Sequence, residues 1–206
     1  MYSPPYNQVE KRAEVVEFMR ANNFPLLVTG TGGVLHASHL PVLVSEKDNQ
    51  ICLDMHMAKN NPQWKEFLGD EDVLVVFSGP HAYISPRWYA EKQRVPTWNY
   101  AAVHAYGVPK MVSDRGGKAA SQRRLVESLD PQWLPQHDAL PQEYVDQMLD
   151  GIVNFEIPIT RLETRWKLSQ NRGRREMELI AGALEKSDDS VERALGALTR
   201  KHLVSD

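Results

Sequence analysis

Residues 81 to 107 read HAYISPRWYAEKQRVPTWNYAAVHAYG, and the way this stretch folds decides the architecture around it. Tyr83, Trp88, Tyr89, Trp98, Tyr100 and Tyr106 stand among Ser85, Pro86, Pro96 and Gly107, with His81 and His104 at the flanks. Six of the 17 aromatics (5 Phe, 5 Trp, 7 Tyr) therefore fall in 27 consecutive residues. Aromatic side chains combine a large rigid contact area with polar tips, so this density fits a ring-shaped ligand, a subunit interface, or two ordinary aromatic strands joined by a proline-bearing loop. His81 to Ser85 and Asn99 to Val108 read as strands, with the loop from Pro86 to Pro96 between them.

Working outward, the run Val73-Leu74-Val75-Val76-Phe77 reads as a strand buried on both faces, broken by Gly79-Pro80 before the aromatic stretch begins. Upstream, Asn7 and Glu10 resemble a capping box and apolar residues at near-helical spacing predict a helix over about 8–22. Asn22, Asn23 and Pro25 stop it. Leu26 to Thr29 and Val34 to Val44 predict a hairpin around Gly30-Thr31-Gly32-Gly33, and Ile51 to His56 a third strand after a turn over 45–50. Asn60 or Asn61 then caps a short helix that has Pro62 in its first turn and ends near Leu68.

Downstream, Gly116-Gly117 opens a helix to about Leu129. A proline-rich loop leads to a second helix, about 142–149, and then a strand from Ile152 passes Pro158 to Leu162. Two amphipathic helices, about 174–186 and 189–201, close the chain, with Ser187 or Asp188 as the cap of the second. About six hairpin-linked strands between residues 26 and 165, with no βαβ alternation, argue for an antiparallel barrel of the α+β class and against a dinucleotide-binding sheet.

Composition bounds the function. At 206 residues, 42% hydrophobic and 25% charged, the chain reads as globular. No apolar run approaches the roughly 20 residues of a membrane span, and the first residues carry no signal-peptide pattern, so a cytoplasmic protein is expected. The single cysteine, Cys52, forms no internal disulfide and reads as a small buried hydrophobe. A net charge of −3 offers no global attraction to nucleic acid. A basic run from Arg161 to Arg175 is the local exception, holding Arg161, Arg165, Lys167, Arg172, Arg174 and Arg175 against Glu163 alone.

Three sets of residues could carry chemistry. His56-Met57-Ala58-Lys59-Asn60 joins a strand end to a helix start, where free backbone N–H groups, the Lys59 charge and the Asn60 amide suit an anion. Histidines 36, 39, 56, 81 and 104 all fall on strands or their ends, but His36 and His39 face opposite sides of a strand, and no HExxH or CxxC accompanies them. In Trp166-Lys167-Leu168-Ser169-Gln170-Asn171-Arg172, cations could reach a phosphate and amides the edge of a heterocycle. Motifs of serine hydrolases, P-loops and dinucleotide-binding sheets are absent.

Taken together, several words resemble the PaiB family, the FMN-binding negative transcriptional regulators of protease synthesis and sporulation. They are Met1-Tyr2 with Pro4; Ala37-Ser38-His39-Leu40-Pro41; His56 through Trp64; Gly79 through Tyr89; Val95-Pro96-Thr97-Trp98-Asn99-Tyr100 with Val103-His104-Ala105-Tyr106-Gly107; and Lys167 through Asn171. The resemblance covers residues 1 to about 172 and implies an FMN-binding split β-barrel; the helical insertion at about 114–150 matches only loosely, and the C-terminal helical pair at 173–206 carries no matching word. It further implies a homodimer with FMN at the subunit interface. His56, Lys59 and Asn60 become the phosphate cradle and His39 a neighbour of the flavin; Trp98, Asn99 and Tyr100, from a neighbouring strand of this or the other subunit, wall the ring; Ser85 joins the cofactor-binding set, and Lys167, Gln170 and Asn171 contact the flavin late in the chain. The basic and polar reach of a recognition helix is missing, so direct DNA binding has no support in the sequence. A flavin oxidoreductase or a haem-handling protein on the same barrel is the alternative.

Overall fold

The computed structural model describes residues 1–47 and 49–205; Asp48, inside the turn expected over 45–50, lies outside them. Among the described residues, nine strands in chain order are β1 (Leu26–Thr31), β2 (Val34–His39), β3 (Val42–Lys47), β4 (Gln50–Ala58), β5 (Val73–Ile84), β6 (Thr97–Gly107), β7 (Lys110–Val112), β8 (Ile152–Pro158) and β9 (Arg161–Lys167). They form a five-stranded sheet, β2-β1-β5-β6-β9, and a four-stranded one, β3-β4-β8-β7. The helices are α1 (Arg12–Ala21), α2 (Arg115–Leu129), α3 (Leu134–Asp138), α4 (Gln142–Asp150), α5 (Arg174–Leu184) and α6 (Ser190–Ser205).

Tight turns are set by residues that tolerate them. Gly32 and Gly33 both have positive φ, 61° and 84°, which closes the β1–β2 hairpin with Thr31 paired to Val34. The expected strand 34–44 is two strands. The chain bends at Leu40-Pro41, where Leu40 N–H donates to Pro25 O and Val42 N–H to Asn23 O, because proline carries no ladder donor. Gly79-Pro80 has the opposite outcome. Instead of breaking the chain it lies within the 12-residue β5. Val73, Val75 and Phe77 face inward, then Ala82 and Ile84 do, so the alternation changes phase across 78–81. The proline sits at that irregularity.

Other departures are local. No capping box forms at Asn7, which belongs to a 3₁₀ turn over Pro5–Asn7, and α1 starts at Arg12. Pro158 ends β8, so the strand expected to run on to Leu162 is two strands. Asp114 caps α2 by accepting from Gly117 N–H at 2.7 Å, and Asp189 caps α6 by accepting from Val191 N–H at 2.7 Å; neither Ser187 nor Asp188 does so.

By its contacts the chain divides into two compact units. One comprises Met1–Val15, Ser78–Val103 and Glu163–Asp206, with Ile84, Val103, Trp166, Leu168, Ile180, Leu184 and Leu195 in its core. The other comprises Val16–Phe77 and His104–Leu162 and buries Met19, Leu27, Leu53, Met55, Phe77, Phe155 and Ile157. In the second unit Phe67 packs on Phe155 with ring centroids 4.7 Å apart. No helix among the described residues is long and apolar enough to cross a membrane.

Candidate functional site

The expected site residues fall into two groups, one in each unit. In the unit holding β4, alternation puts Ile51, Leu53, Met55 and Met57 on the core face. Cys52, Asp54 and His56 lie on the other. Asp54 is buried and accepts from Ser121 Oγ at 2.7 Å and from Arg124 at 2.6 Å. His56 pairs across the ladder with Asn154. Burial holds its pKa below the ordinary imidazole value, against the smaller upward pull of Asp54. Cys52 on the same face is pushed up to about 11, first by burial and then by Glu156 and Asp54, so the thiol is protonated and inert at neutral pH.

After β4 the chain turns outward. Lys59 and Asn60 are both exposed. The turn is held from behind: Lys59 N–H donates to Gly151 O at 2.9 Å, and Lys59 O accepts from Trp64 Nε1 at 3.0 Å. Asn61, the second of the two expected caps, accepts from Gln63 N–H at 3.0 Å and starts the 3₁₀ turn Pro62–Leu68. Gln63 is buried; its amide donates to Leu27 O, Thr29 Oγ1 and His36 O at 3.2–3.3 Å and its Oε1 accepts from Ser38 Oγ at 2.6 Å. The word Asn-Asn-Pro-Gln thus locks β1, β2 and the turn together and leaves Lys59 and Asn60 facing outward. His39, also exposed, stacks on Phe24 with centroids 5.7 Å apart.

In the other unit, Trp98 and Tyr100 stand on the outer face of β6, while Asn99 between them is fully buried. His81 lies against Trp98 in a stacked arrangement at 5.7 Å, and Tyr83 meets it edge-on at 6.5 Å. Trp98 keeps 49% of its surface exposed, so an aromatic platform faces outward. Ser85, buried, takes Arg87 N–H and Arg87 Nε on its hydroxyl at 3.3 and 3.2 Å and caps the 3₁₀ turn Pro86–Trp88.

Beside the platform lies the charge. Lys167 donates to Thr97 Oγ1 at 2.6 Å and to Trp98 O at 2.8 Å. Its pKa is lowered by burial first and then by Arg165 and Arg172. Arg165 lies over the rings of Tyr2 and Tyr100 at 5.5 and 5.4 Å, and its buried Nε has no acceptor. Three cations gathered this way repel one another, and an anion among them would relieve the repulsion. This donor set therefore fits a planar aromatic ligand that carries negative charge.

Not every expected residue is available to such a ligand. Gln170 spends its amide on its own turn, accepting from Leu168 N–H at 2.8 Å and donating to Trp166 O. Asn99 is bound to Ser169. Asn171 is exposed. Sequence reading passed over Arg165 as a site residue because, in a basic run, nothing distinguishes a solvated arginine from one lying over tyrosines 65 and 163 positions away. No group of three or more His, Cys, Asp or Glu side chains among the described residues could hold a metal ion.

Residues 1–161 match a family model described as "Putative FMN-binding domain". The chain is 34% identical over 209 residues to the protease synthase and sporulation protein PAI 2 of Bacillus subtilis, covering 98% of both chains. An uncharacterised protein of Emericella nidulans, AN0679, is 26% identical over 229 residues, 90% of each. Among solved structures, the flavocytochrome Anf3 of Azotobacter vinelandii superposes with a TM-score of 0.60 at 15% identity, over 78% of this chain and 69% of that one. The FAD and haem binding protein of Mycobacterium smegmatis gives 0.56 at 11%, over 78% and 73%. These two likenesses show the fold: the α+β, antiparallel split-barrel class expected from the sequence.

Proposed function

The chain belongs to the PaiB family of FMN-binding domains, and from that premise we propose that it binds FMN and works as a homodimer in the control of transcription. The observation that carries the flavin reading is the pairing of the outward aromatic platform, His81, Tyr83, Trp98 and Tyr100, with the cations Arg165, Lys167 and Arg172. Lys59, Asn60 and the neighbouring His56 are assigned to the phosphate, on the strength of the exposed turn that Gln63 and Gly151 hold in place. Trp98 and Tyr100 wall the ring, with His39 and Asn171 at its margins. Ser85, Asn99 and Gln170 support the site from within the fold.

FMN when bound supplies hydride and single-electron chemistry. The chain's own residues orient it. Trp98 gives a stacking surface and Lys167 a positive charge beside that surface, so negative charge gained by the ring on reduction is stabilised. The homodimer reading rests on the exposure of Tyr2, Tyr83, Val95 and Trp98, apolar surface of the kind that a subunit or a ligand covers.

A flavin oxidoreductase is the second reading. It is favoured by α6, where Arg200 is paired with Glu185 and Arg193 donates to Ser187 O. These arginines are engaged by neighbouring groups on the surface of the helical pair, whereas a groove-reading helix presents such side chains to the bases. The test is direct: purified protein incubated with FMN and desalted retains the flavin absorption bands if the reading holds. A salt-dependent, sequence-selective gel shift then supports regulation at DNA, whereas NAD(P)H oxidation without a shift supports the enzyme.

A further inference from the structure

The connection between β5 and β6 begins at Ser85, and its part from Ala90 to Pro96, which leads into the strand that carries Trp98, is mostly exposed. Short of tethering, such a segment samples many conformations and its ends share that freedom. The tether is Glu176, in the first turn of α5. One of its carboxylate oxygens accepts from Ala90 N–H at 3.0 Å and the other from Glu91 N–H at 3.3 Å. The side chain is buried, at 7% exposure. Tyr89, the residue before the tethered pair, is buried as well.

The same helix begins at the end of the segment that carries the candidate cations. Gly173, with φ 85°, closes the 3₁₀ turn Gln170–Arg172 and leads directly into α5. Five residues after the Ser169 hydroxyl that holds Asn99, the chain enters the helix whose carboxylate holds Ala90 and Glu91. Two polar ties therefore flank Trp98: Ala90 and Glu91 before it are held by Glu176 of α5, and Asn99 after it by Ser169.

We propose that Glu176 is a positioning residue for the flavin site. It holds the loop so that Trp98 stands beside Lys167, and through it the C-terminal helical pair, which lies beyond the residues matched by the family model, becomes part of the site. The inference rests on the flavin reading. Only an ionised carboxylate can serve two adjacent backbone donors this way, because a carboxamide would turn an N–H toward one of them.

The experiment titrates FMN into wild-type protein and into Glu176→Gln, with Glu185→Gln as the control: it breaks the exposed Arg200–Glu185 pair of the same helical pair and leaves the loop untouched. Amide hydrogen exchange at Ala90 and Glu91 is read in parallel. The expected result is an affinity about tenfold weaker in Glu176→Gln, an altered visible spectrum of its bound flavin and faster exchange at both amides, with Glu185→Gln matching wild type. A folded Glu176→Gln that binds FMN with wild-type affinity and spectrum overturns the inference while the flavin reading stands. Wild-type protein that takes up no FMN overturns both. If Glu176→Gln does not fold, Glu176→Asp serves, since it keeps the charge on a shorter arm: intermediate affinity supports the inference, and wild-type affinity despite accelerated exchange at Ala90 and Glu91 refutes it.

Discussion

Asn99 Nδ2 donates to Ser169 Oγ at 2.9 Å, and both side chains are buried. This bond joins the start of the aromatic strand β6 to the residue after Leu168, where the chain takes a left-handed turn at Ser169 with φ 68°. A non-glycine residue in that conformation is strained, and the bond helps hold it.

Asn99→Ala should therefore lower the stability of the protein by about 1–3 kcal/mol, the usual effect of leaving a buried partner unsatisfied. Denaturant unfolding of the variant checks this. Ser169→Gly should cost less, since glycine adopts the left-handed conformation freely and part of the lost bond is offset by released strain.

Gln63 makes a sharper case. It serves four partners drawn from β1 and β2, so Gln63→Ala leaves Ser38 Oγ, Thr29 Oγ1 and two strand carbonyls short of a partner. A loss of about 3 kcal/mol in unfolding free energy is expected, with the Lys59–Asn60 turn losing hydrogen-exchange protection.

His56 makes stability depend on pH. Its folded-state pKa lies below the ordinary value near 6.5, chiefly through burial. The unfolded chain therefore takes up the proton more readily, and stability falls as pH drops from about 6.5 toward the lowered value. His56→Gln should flatten this part of the profile, measured as unfolding free energy from pH 7.5 downward against wild type.

Lys167 carries a dependence of the same sign at high pH. Burial, Arg165 and Arg172 lower its pKa below the usual 10.5, so its charge is a burden in the folded state. Stability relative to Lys167→Met should rise with pH through the window between the lowered value and 10.5.

Much of this was legible in the chain. Period-two alternation marks β4 and β6, and the Gly-Gly turn marks the first hairpin, because those signals are local. Gly79-Pro80 misled because a proline in an apolar run has two readings, a break or an irregularity inside one strand, and the neighbouring strands decide which. The sequence marked candidate site residues as words and not as roles. In Asn60-Asn61-Pro62-Gln63, adjacent residues diverge: Asn60 faces outward, whereas Gln63 is buried among partners 25 to 36 positions away. Gln170 reads as a ligand donor but completes a turn, and Glu176 reads as one more helix-start acid but tethers a loop. The roles of Gln63 and Glu176 depend on long-range contacts that spacing along the chain does not encode, and that of Gln170 on the left-handed backbone at Ser169.

The chain belongs to an FMN-binding family, and the exposed turn at Lys59 and Asn60 is proposed to hold the phosphate. Parallel calorimetric titration of the wild-type protein with FMN and with riboflavin, which lacks the phosphate, tests it most directly. Saturation by FMN at one per chain is expected, with riboflavin about tenfold or more weaker and Lys59→Ala reducing FMN to nearly the riboflavin level. Absence of saturable FMN binding would contradict the account outright, and equal affinity for FMN and riboflavin would contradict the phosphate assignment.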